Sequence, residues 1–449
     1  MMSENKVGTY RFVAEPFHCD FSGKLTMSVL GNHLLNCAGF HAADRGFGIA
    51  TLNENHYTWV LSRLAVELEN MPCQYEGFSI QTWVENVYRL FTDRNFAILD
   101  KEGKAVGYAR SVWAMIKELH EMGFSVMLWI CPFVTPDTLE FRKARDKHFL
   151  IETPEGKPRI LEWWNGYSAA LDLTNPDALK WLKDQLDVLM DMGVDGFKLD
   201  AGDPCYYHAG DKLFRDASTD ELSRLWAEFG EQFVFNELRV CFRAGGYSLM
   251  QRLCDKQTKW DESGIAGLIP DTLIQGLTGH PFGSPDMIGG GEYTCFLNGN
   301  ENACTPEMFV RYAQIAALMP VMQFSASPWR VLPEADFQKV KDALALREKC
   351  LPEILKAVEC AKVTGEPIVR SMEFVFPGQG MERVMDQFMV GEDLLVAPVW
   401  KQGEVARSVR LPEGQWRCVG LGETEGDVLN GGRDVILGEN EGLVVLKRV

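Results

Sequence analysis

Residues 194–207 read VDGFKLDAGDPCYY. Gly193 closes a helical stretch, Val194 to Leu199 is a short buried strand, and Asp200 stands at its C-terminal end. In a chain of alternating strands and helices, a carboxylate at that position lies on the face of a parallel α/β barrel where reacting groups gather. Lys198 is two residues earlier and shares the face of Asp200, because side chains in a strand repeat every second residue. An amine and a carboxylate on one face make a charged site. An internal salt bridge at the barrel mouth is the alternative reading of the same pair.

The alternation extends on both sides of this stretch. Lys117 to Met122 reads as a helix tail, Phe124 to Ile130 as a strand, and Asn175 to Met192 as a helix opened by an Asn-Pro cap. Further strands are expected at Phe233–Asn236, Tyr247–Arg252, Leu277–His280 and Val321–Phe324. This is β/α order of the parallel-sheet kind. From about Glu366 the pattern changes to strands with Gly/Pro turns, at Ile368–Val375, Arg383–Val390, Leu394–Pro398, Ala406–Leu411, Gln415–Val419 and Gly442–Leu446, which predicts a C-terminal β-sandwich. Toward the N-terminus, Phe12 to Phe17 reads as a strand and Leu25 to Asp44 as a long apolar helix. Tyr57–Glu69, Phe78–Val87, Arg89–Leu99 and Ala105–Met115 read as antiparallel strands, the last two flanking the turn signal Asp100-Lys101-Glu102-Gly103.

At about 150 residues per domain, 449 residues predict roughly three domains. The boundaries read as 1–116, 117–365 and 366–449. With 45 Lys and Arg against 63 Asp and Glu, the formal net charge is −18, which argues against nucleic acid as a partner. Hydrophobic residues at 46% and charged residues at 24% predict a globular chain. No apolar run reaches membrane-spanning length, so no membrane partner is expected. The start, MMSENKVGTYRF, has no apolar signal core, and twelve cysteines without a CxxC pair suit reduced thiols. A cytoplasmic location is the expectation. The eight histidines do not cluster with the thiols, so structural zinc is disfavoured.

Asp255, in QRLCDKQTKWDES (251–263), is a second candidate carboxylate; a surface-loop aspartate is its alternative. Arg239, after FVFNEL, suits a clamp on hydroxyls, with a rim salt bridge as the alternative. Trp129, Trp163, Trp164, Tyr167, Tyr206, Tyr207, Trp260 and Trp329 collect near expected strand ends. Aromatic faces beside carboxylates suit sugar stacking, and ordinary core packing accounts for part of the set.

The stretches VMLWICPFVTPD, LDLTNPDA, DGFKLDAGD, QRLCDKQTKWDES, LTGHPFGSPDMIGGG, MQFSASPWR and DQFMVGEDLLVAPV together resemble family 31 glycoside hydrolases, over about residues 117–449. The QRL-x-DK pattern resembles the branch of the myogenesis-regulating glycosidase and bacterial α-galactosidases. The resemblance implies a retaining α-glycosidase, on α-galactosides before other α-linked sugars, with no cofactor and no metal. It makes Asp200 the nucleophile and Asp255 the acid/base. It makes Arg239, Lys198, Trp129, Asp172 and Asp286 substrate-binding; Trp260, Trp329 and Trp164 join them as stacking faces from the aromatic set above. Asp203 stands where many members have Glu, and Gln323-Phe324-Ser325-Ala326-Ser327 replaces the family histidine near the last strand.

Residues 1–116 differ in kind. PFHCDFSGKLTMSVLGNHLLNCAGFHAADRGFG, ENHYTWVLSRLAVELENMP and FTDRNFAILDKEGKAVGYARSVWAMI resemble the first hot-dog domain of acyl–acyl-carrier-protein thioesterases. That family's chemistry needs a second hot-dog repeat, and none follows here, so Asn55 and His56 are not expected to be catalytic. Trp59 and Trp83 read as core residues before acyl-site residues. Acyl carrier protein is a partner only if this segment is functional. The resemblance thus implies a multidomain α/β chain: an α+β hot-dog domain, an incomplete (β/α)8 TIM-type barrel lacking its first two strands, and a C-terminal β-sandwich. Met115-Ile116 runs into Lys117-Glu118 without a linker, as in a splice of two incomplete enzymes. An acyl-ACP thioesterase, or a non-catalytic fusion that binds carbohydrate, are the alternative functions.

Overall fold

The computed structural model describes residues 6–54, 59–87, 91–136, 138–291, 293–296, 303–419, 426–437 and 442–449. Asn55 and His56 lie outside the described residues. Two compact units result, one of residues up to 198 with 206–217, the other of 199–205 with 218–449.

The first unit opens with a five-stranded antiparallel sheet in the order Gly8–Val13, Gly77–Val87, Phe91–Leu99, Ala105–Met115, Trp59–Leu68. The helix Met27–Ala43 buries Leu30, Leu34 and Cys37 with Phe78, Ile80, Phe96 and Ile98 of that sheet. Thr26 caps the helix by accepting from the Val29 N–H. The expected hairpin forms because Asp100 Oδ1 accepts from the N–H groups of Glu102 and Lys104 at 3.0 and 2.9 Å. The strand expected at Phe12–Phe17 is instead Gly8–Val13. Pro16 has no N–H for a sheet ladder and opens a 3-10 turn, Pro16–His18.

The strand Ala105–Met115 passes into the helix Ile116–Glu121 with no residue between them. Asp195 anchors this helix: its Oδ2 accepts from the Val126 N–H at 2.6 Å and lies 2.8 Å from His120 Nε2. Gly193 has φ +101, and a Cβ there would sit 3.1 Å from Ile116 Cγ2. Only glycine takes both the turn and the close approach. The unit also holds the strand Met127–Ile130, an antiparallel sheet of Phe133–Val134, Gly166–Ala170 and Ile160–Trp163, and the helix Pro176–Asp191. Asn175 caps this helix as its sequence predicts, accepting from the N–H groups of Asp177 and Ala178 at 3.0 and 3.4 Å.

In the second unit, Phe235–Leu238, Gln251–Arg252 and Gly283–Ser284 pair in parallel, as do Met287–Ile288 and Gln323–Phe324. The helices Thr219–Gly230, Leu268–Leu277, Pro306–Ala316 and Glu334–Thr364 accompany them. The expected strand at Leu277–His280 is a correction. Leu277 ends a helix, Gly279 turns the chain at φ +92, and the strand is Gly283–Ser284. Of Tyr247–Arg252, only Gln251–Arg252 is extended.

The C-terminal part of the unit forms a six-stranded sheet: Val369–Arg370, Phe388–Val390, Leu394–Pro398, Leu443–Arg448, Gln415–Cys418, Val428–Asn430. A two-stranded pair, Arg407–Leu411 with Arg433–Leu437, shares a core with it through Leu395, Ala397, Val409, Leu411 and Trp416. Leu394 and Val396 point the other way, into a core with the helices Pro306–Ala316 and Glu334–Thr364. Met372–Val375, expected as strand, is a short helix because Ser371 accepts from the Phe374 N–H at 3.2 Å and caps it.

Candidate active site

Asp200 follows the last residue of the strand Gly196–Leu199. The chain then turns sharply, with Ala201 at φ 55 and Gly202 at φ 79. The helix Thr219–Gly230 fixes this turn. Ser223 Oγ donates to the Gly202 carbonyl at 2.5 Å, and Trp226 Nε1 to the Asp200 carbonyl at 3.3 Å. A Cβ on Gly202 would lie 2.6 Å from Trp226 Cδ1, so the indole packs directly on the loop backbone.

Arg239, just past the strand Phe235–Leu238, spans two carboxylates. Its Nη2 donates to Asp203 Oδ2 at 2.6 Å, and its Nε lies 3.5 Å from Asp200 Oδ1. Burial alone would pull the guanidinium down, but Asp203 and Asp200 more than offset this and raise it.

Arg252, in the strand Gln251–Arg252, is the centre of the site and is only 2% exposed. Its Nη1 donates to Asp255 Oδ1 at 2.5 Å and to Asp286 Oδ1 at 2.7 Å. Its Nη2 is 3.9 Å from Asp200 Oδ1, and its Nε is 3.2 Å from Glu237 Oε1. Burial opposes its charge, and the surrounding carboxylates reverse that effect and drive the guanidinium upward. Asp286 is fully buried, with φ 86, and also accepts from the Lys256 N–H at 2.7 Å. Burial raises its carboxyl above the usual range, while Arg252 and that N–H pull the other way. Gln323 Nε2 donates to Glu237 Oε2 at 3.0 Å.

Two guanidiniums therefore hold five carboxyls, those of Asp200, Asp203, Glu237, Asp255 and Asp286. Carboxyls thus outnumber guanidiniums, and a carboxylate beside a developing positive charge stabilises it. Asp200 is buried, whereas the Asp255 side chain is 45% exposed. The backbone of Gly291 lies against Asp255: a Cβ there would be 2.5 Å from Asp255 Cγ.

The structure brings Asp200, Asp255, Arg239 and Asp286 of the sequence candidates into one cluster, together with Arg252 and Glu237, which sequence reasoning missed. The signal for those two was a charged residue in an otherwise buried strand, which is costly unless paired. Trp260 packs against the helical core of the second unit. Trp329, on the short helix Pro328–Val331, is 67% exposed and meets Phe337 edge-on with centroids 6.4 Å apart. The remaining candidates belong to the first unit. Trp129 stacks on Trp163 at 6.3 Å and meets Trp164 edge-on at 5.9 Å. Asp172 organises a turn: Oδ1 accepts from the Thr174 N–H and hydroxyl at 2.9 and 2.6 Å, and Oδ2 from the Phe214 N–H at 2.6 Å. Lys198, on the strand Gly196–Leu199, is half-buried.

The carboxylate cluster lies at the C-terminal ends of parallel strands. Residues 64–357 match the glycosyl hydrolases family 31 TIM-barrel domain, and residues 365–434 match that family's C-terminal domain. The chain belongs to glycosyl hydrolase family 31. The myogenesis-regulating glycosidase of Mus musculus is 35% identical over 311 residues, covering 68% of this chain and 43% of that one. A family 31 α-xylosidase structure from a soil metagenome, complexed with xylose, is 25% identical with a TM-score of 0.63, covering 74% of this chain and 54% of that one. An acyl-ACP thioesterase structure from Bacteroides thetaiotaomicron is 81% identical over 26% of this chain and 47% of that one, with a TM-score of 0.25. The chain spans between 37% and 48% of the length of the first four curated relatives.

Proposed function

We propose that this chain carries the reacting centre of a retaining α-glycoside hydrolase for terminal α-linked sugars, α-galactosides first. The observation that carries this reading is the convergence of Asp200 and Asp255 on the single guanidinium of Arg252. Asp200, buried and fixed by its own backbone anchors, attacks the anomeric carbon and forms a glycosyl-enzyme. Asp255, on the exposed side, gives its proton to the leaving oxygen and then takes one from water. Carboxyls that share one guanidinium suit the about 5–5.5 Å separation of retention better than the about 6.5–9.5 Å of inversion. Arg239 holds Asp200 from the other side and orients it.

The sugar specificity is part of the proposal. An α-xylosidase among the similar structures makes α-xylosides the second class to test. We also read residues 1–116 as a hot-dog half and the barrel as incomplete, supported by the antiparallel sheet around Met27–Ala43 and the direct passage from Met115 into Ile116. Twelve cysteines with no disulfide among the described residues support a reducing, cytoplasmic-type compartment. A second reading, carbohydrate binding without turnover, is favoured by one contact. The side chain that must hand over a proton is engaged at 2.5 Å by Arg252.

A panel of nitrophenyl α-glycosides separates these readings. Hydrolysis that disappears in Asp200→Asn, with the α-anomer of the sugar released first in NMR, is the expected result. Sugar binding without hydrolysis, unchanged in Asp200→Asn, sinks the hydrolase reading.

A further inference from the structure

The β-rich tail of the second unit carries a cavity of about 240 Å³ that the glycosidase reading leaves unused. It opens where the strand Leu394–Pro398 ends and the strand Arg407–Leu411 begins. Val399, Trp400 and Ile436 give it an apolar floor.

Its walls are fixed from two sides. Arg407 is buried and donates Nη1 to the carbonyls of Pro398 and Asp386 at 3.0 and 2.5 Å. From the helix Pro306–Ala316, Glu307 Oε1 accepts from the Gly403 N–H at 2.8 Å, and Arg311 Nη2 donates to the Glu404 carbonyl at 2.5 Å. The cavity is therefore preformed, and a ligand that enters it orders little backbone.

The polar rim consists of two ion pairs. Arg407 Nη2 lies 2.7 Å from Asp386 Oδ2, and Lys401 Nζ lies 3.6 Å from Glu404 Oε1. Two positive groups meet two negative ones, so the cavity selects neither an anion nor a cation. The side chains of Asp386, Lys401 and Glu404 are about half exposed and keep capacity to accept and donate toward a ligand. Trp400 is half-buried, packed against the helical core, and Lys401 Nζ stands 5.6 Å from its ring centroid. An indole floor under a balanced polar rim suits an uncharged molecule with a C–H face and a hydroxylated edge.

We propose that this cavity is a second, non-reacting carbohydrate site that takes one uncharged pyranose, its C–H face against Trp400 and its hydroxyls toward Lys401, Glu404 and Asp386. The site lies apart from Asp200 and Asp255 in the chain's tail and does not depend on turnover there.

The test is 19F NMR of the full-length chain labelled with 5-fluorotryptophan. The Trp400 resonance, one of twelve, is assigned by its absence from Trp400→Phe. Methyl α-D-galactopyranoside and methyl α-D-glucopyranoside are the probes, and glucuronate is the charged control. At least one neutral glycoside is expected to shift the Trp400 resonance at about 10 mM, with glucuronate at least about tenfold weaker. Ser408 lines the cavity and is exposed, so Ser408→Tyr fills the site without entering the core. It is expected to abolish the shift and to leave any hydrolysis of nitrophenyl α-glycosides unchanged. A Trp400 shift in a chain without hydrolysis supports this proposal and counts against the hydrolase reading. Hydrolysis with shifts at other tryptophans only overturns this proposal and leaves the hydrolase reading intact. An unmoved Trp400 resonance at about 10 mM, a shift that survives in Ser408→Tyr, or equal affinity for glucuronate also overturns it.

Discussion

Arg252 Nη1 lies 2.5 Å from Asp255 Oδ1, and the arginine is buried while the aspartate faces outward. The guanidinium thus carries the outer carboxyl on an inner support, and the same support reaches Asp286, Glu237 and Asp200. Removing it should do more damage than removing any one acid. Arg252→Met is expected to cost about 3–5 kcal/mol in denaturant unfolding, because buried carboxylates lose their counter-charge. It should also abolish turnover. Arg252→Lys restores a point charge but not the fork, and should recover less than half of the lost stability. A fully stable Arg252→Met would show that these carboxylates do not need it.

Gly291 is expected to control catalysis through space alone. Alanine there puts a methyl 2.5 Å from Asp255 Cγ, so the carboxyl or the backbone must move. An ångström of displacement at a reacting group costs about 10²-fold in rate. Gly291→Ala should therefore lower kcat by about that factor, with KM and Tm little changed. Steady-state kinetics with the best glycoside of the panel provides the check. An unaltered kcat removes Asp255 from the reaction or shows that the backbone yields.

Burial lowers the imidazoles of His33, His41 and His280 below their usual range. The unfolded chain then binds more protons than the folded one in the window from about 6.5 downward. Stability is full above that value and falls as pH drops through the window. The loss is at most about 1.4 kcal/mol per pH unit for each histidine. Urea midpoints at pH 7.5 and pH 5 measure it. His280→Phe removes one titrating group and should flatten the difference; an unchanged pH dependence counts against its share.

Asn175→Ala is expected to cost about 1 kcal/mol, since two N–H groups at the start of the helix Pro176–Asp191 lose their acceptor. Thermal unfolding reads the shift. A change within experimental error would mean that Pro176 alone sets this helix start.

The legible parts of this chain were those with local causes. Asn-Pro at 175–176, the Asp100–Gly103 turn and the Gly193 helix end each act within a few residues, and each stands where the sequence put it. Asp200 was legible because its strand is short and apolar and stops abruptly. Arg252 was not, since its worth comes from Asp286 and Glu237, 34 and 15 residues away along the chain and adjacent only in space. The false strand at Leu277–His280 arose in an apolar run with no periodicity to separate a buried helix from a buried strand. Ser371 shows the reverse case. A single hydroxyl cap turned an apparent strand, Met372–Val375, into a helical turn.

The strand Leu394–Pro398 has no outer side: Leu394 and Val396 enter the helical core, Leu395 and Ala397 the sheet-to-sheet core. The β-rich tail and the helices Pro306–Ala316 and Glu334–Thr364 are consequently expected to melt together, with similar protection in amide exchange. A protease nick or a stop codon between Thr364 and Val369 would not release a tidy module. It would strip a wall from each of two interiors and leave both fragments prone to aggregate.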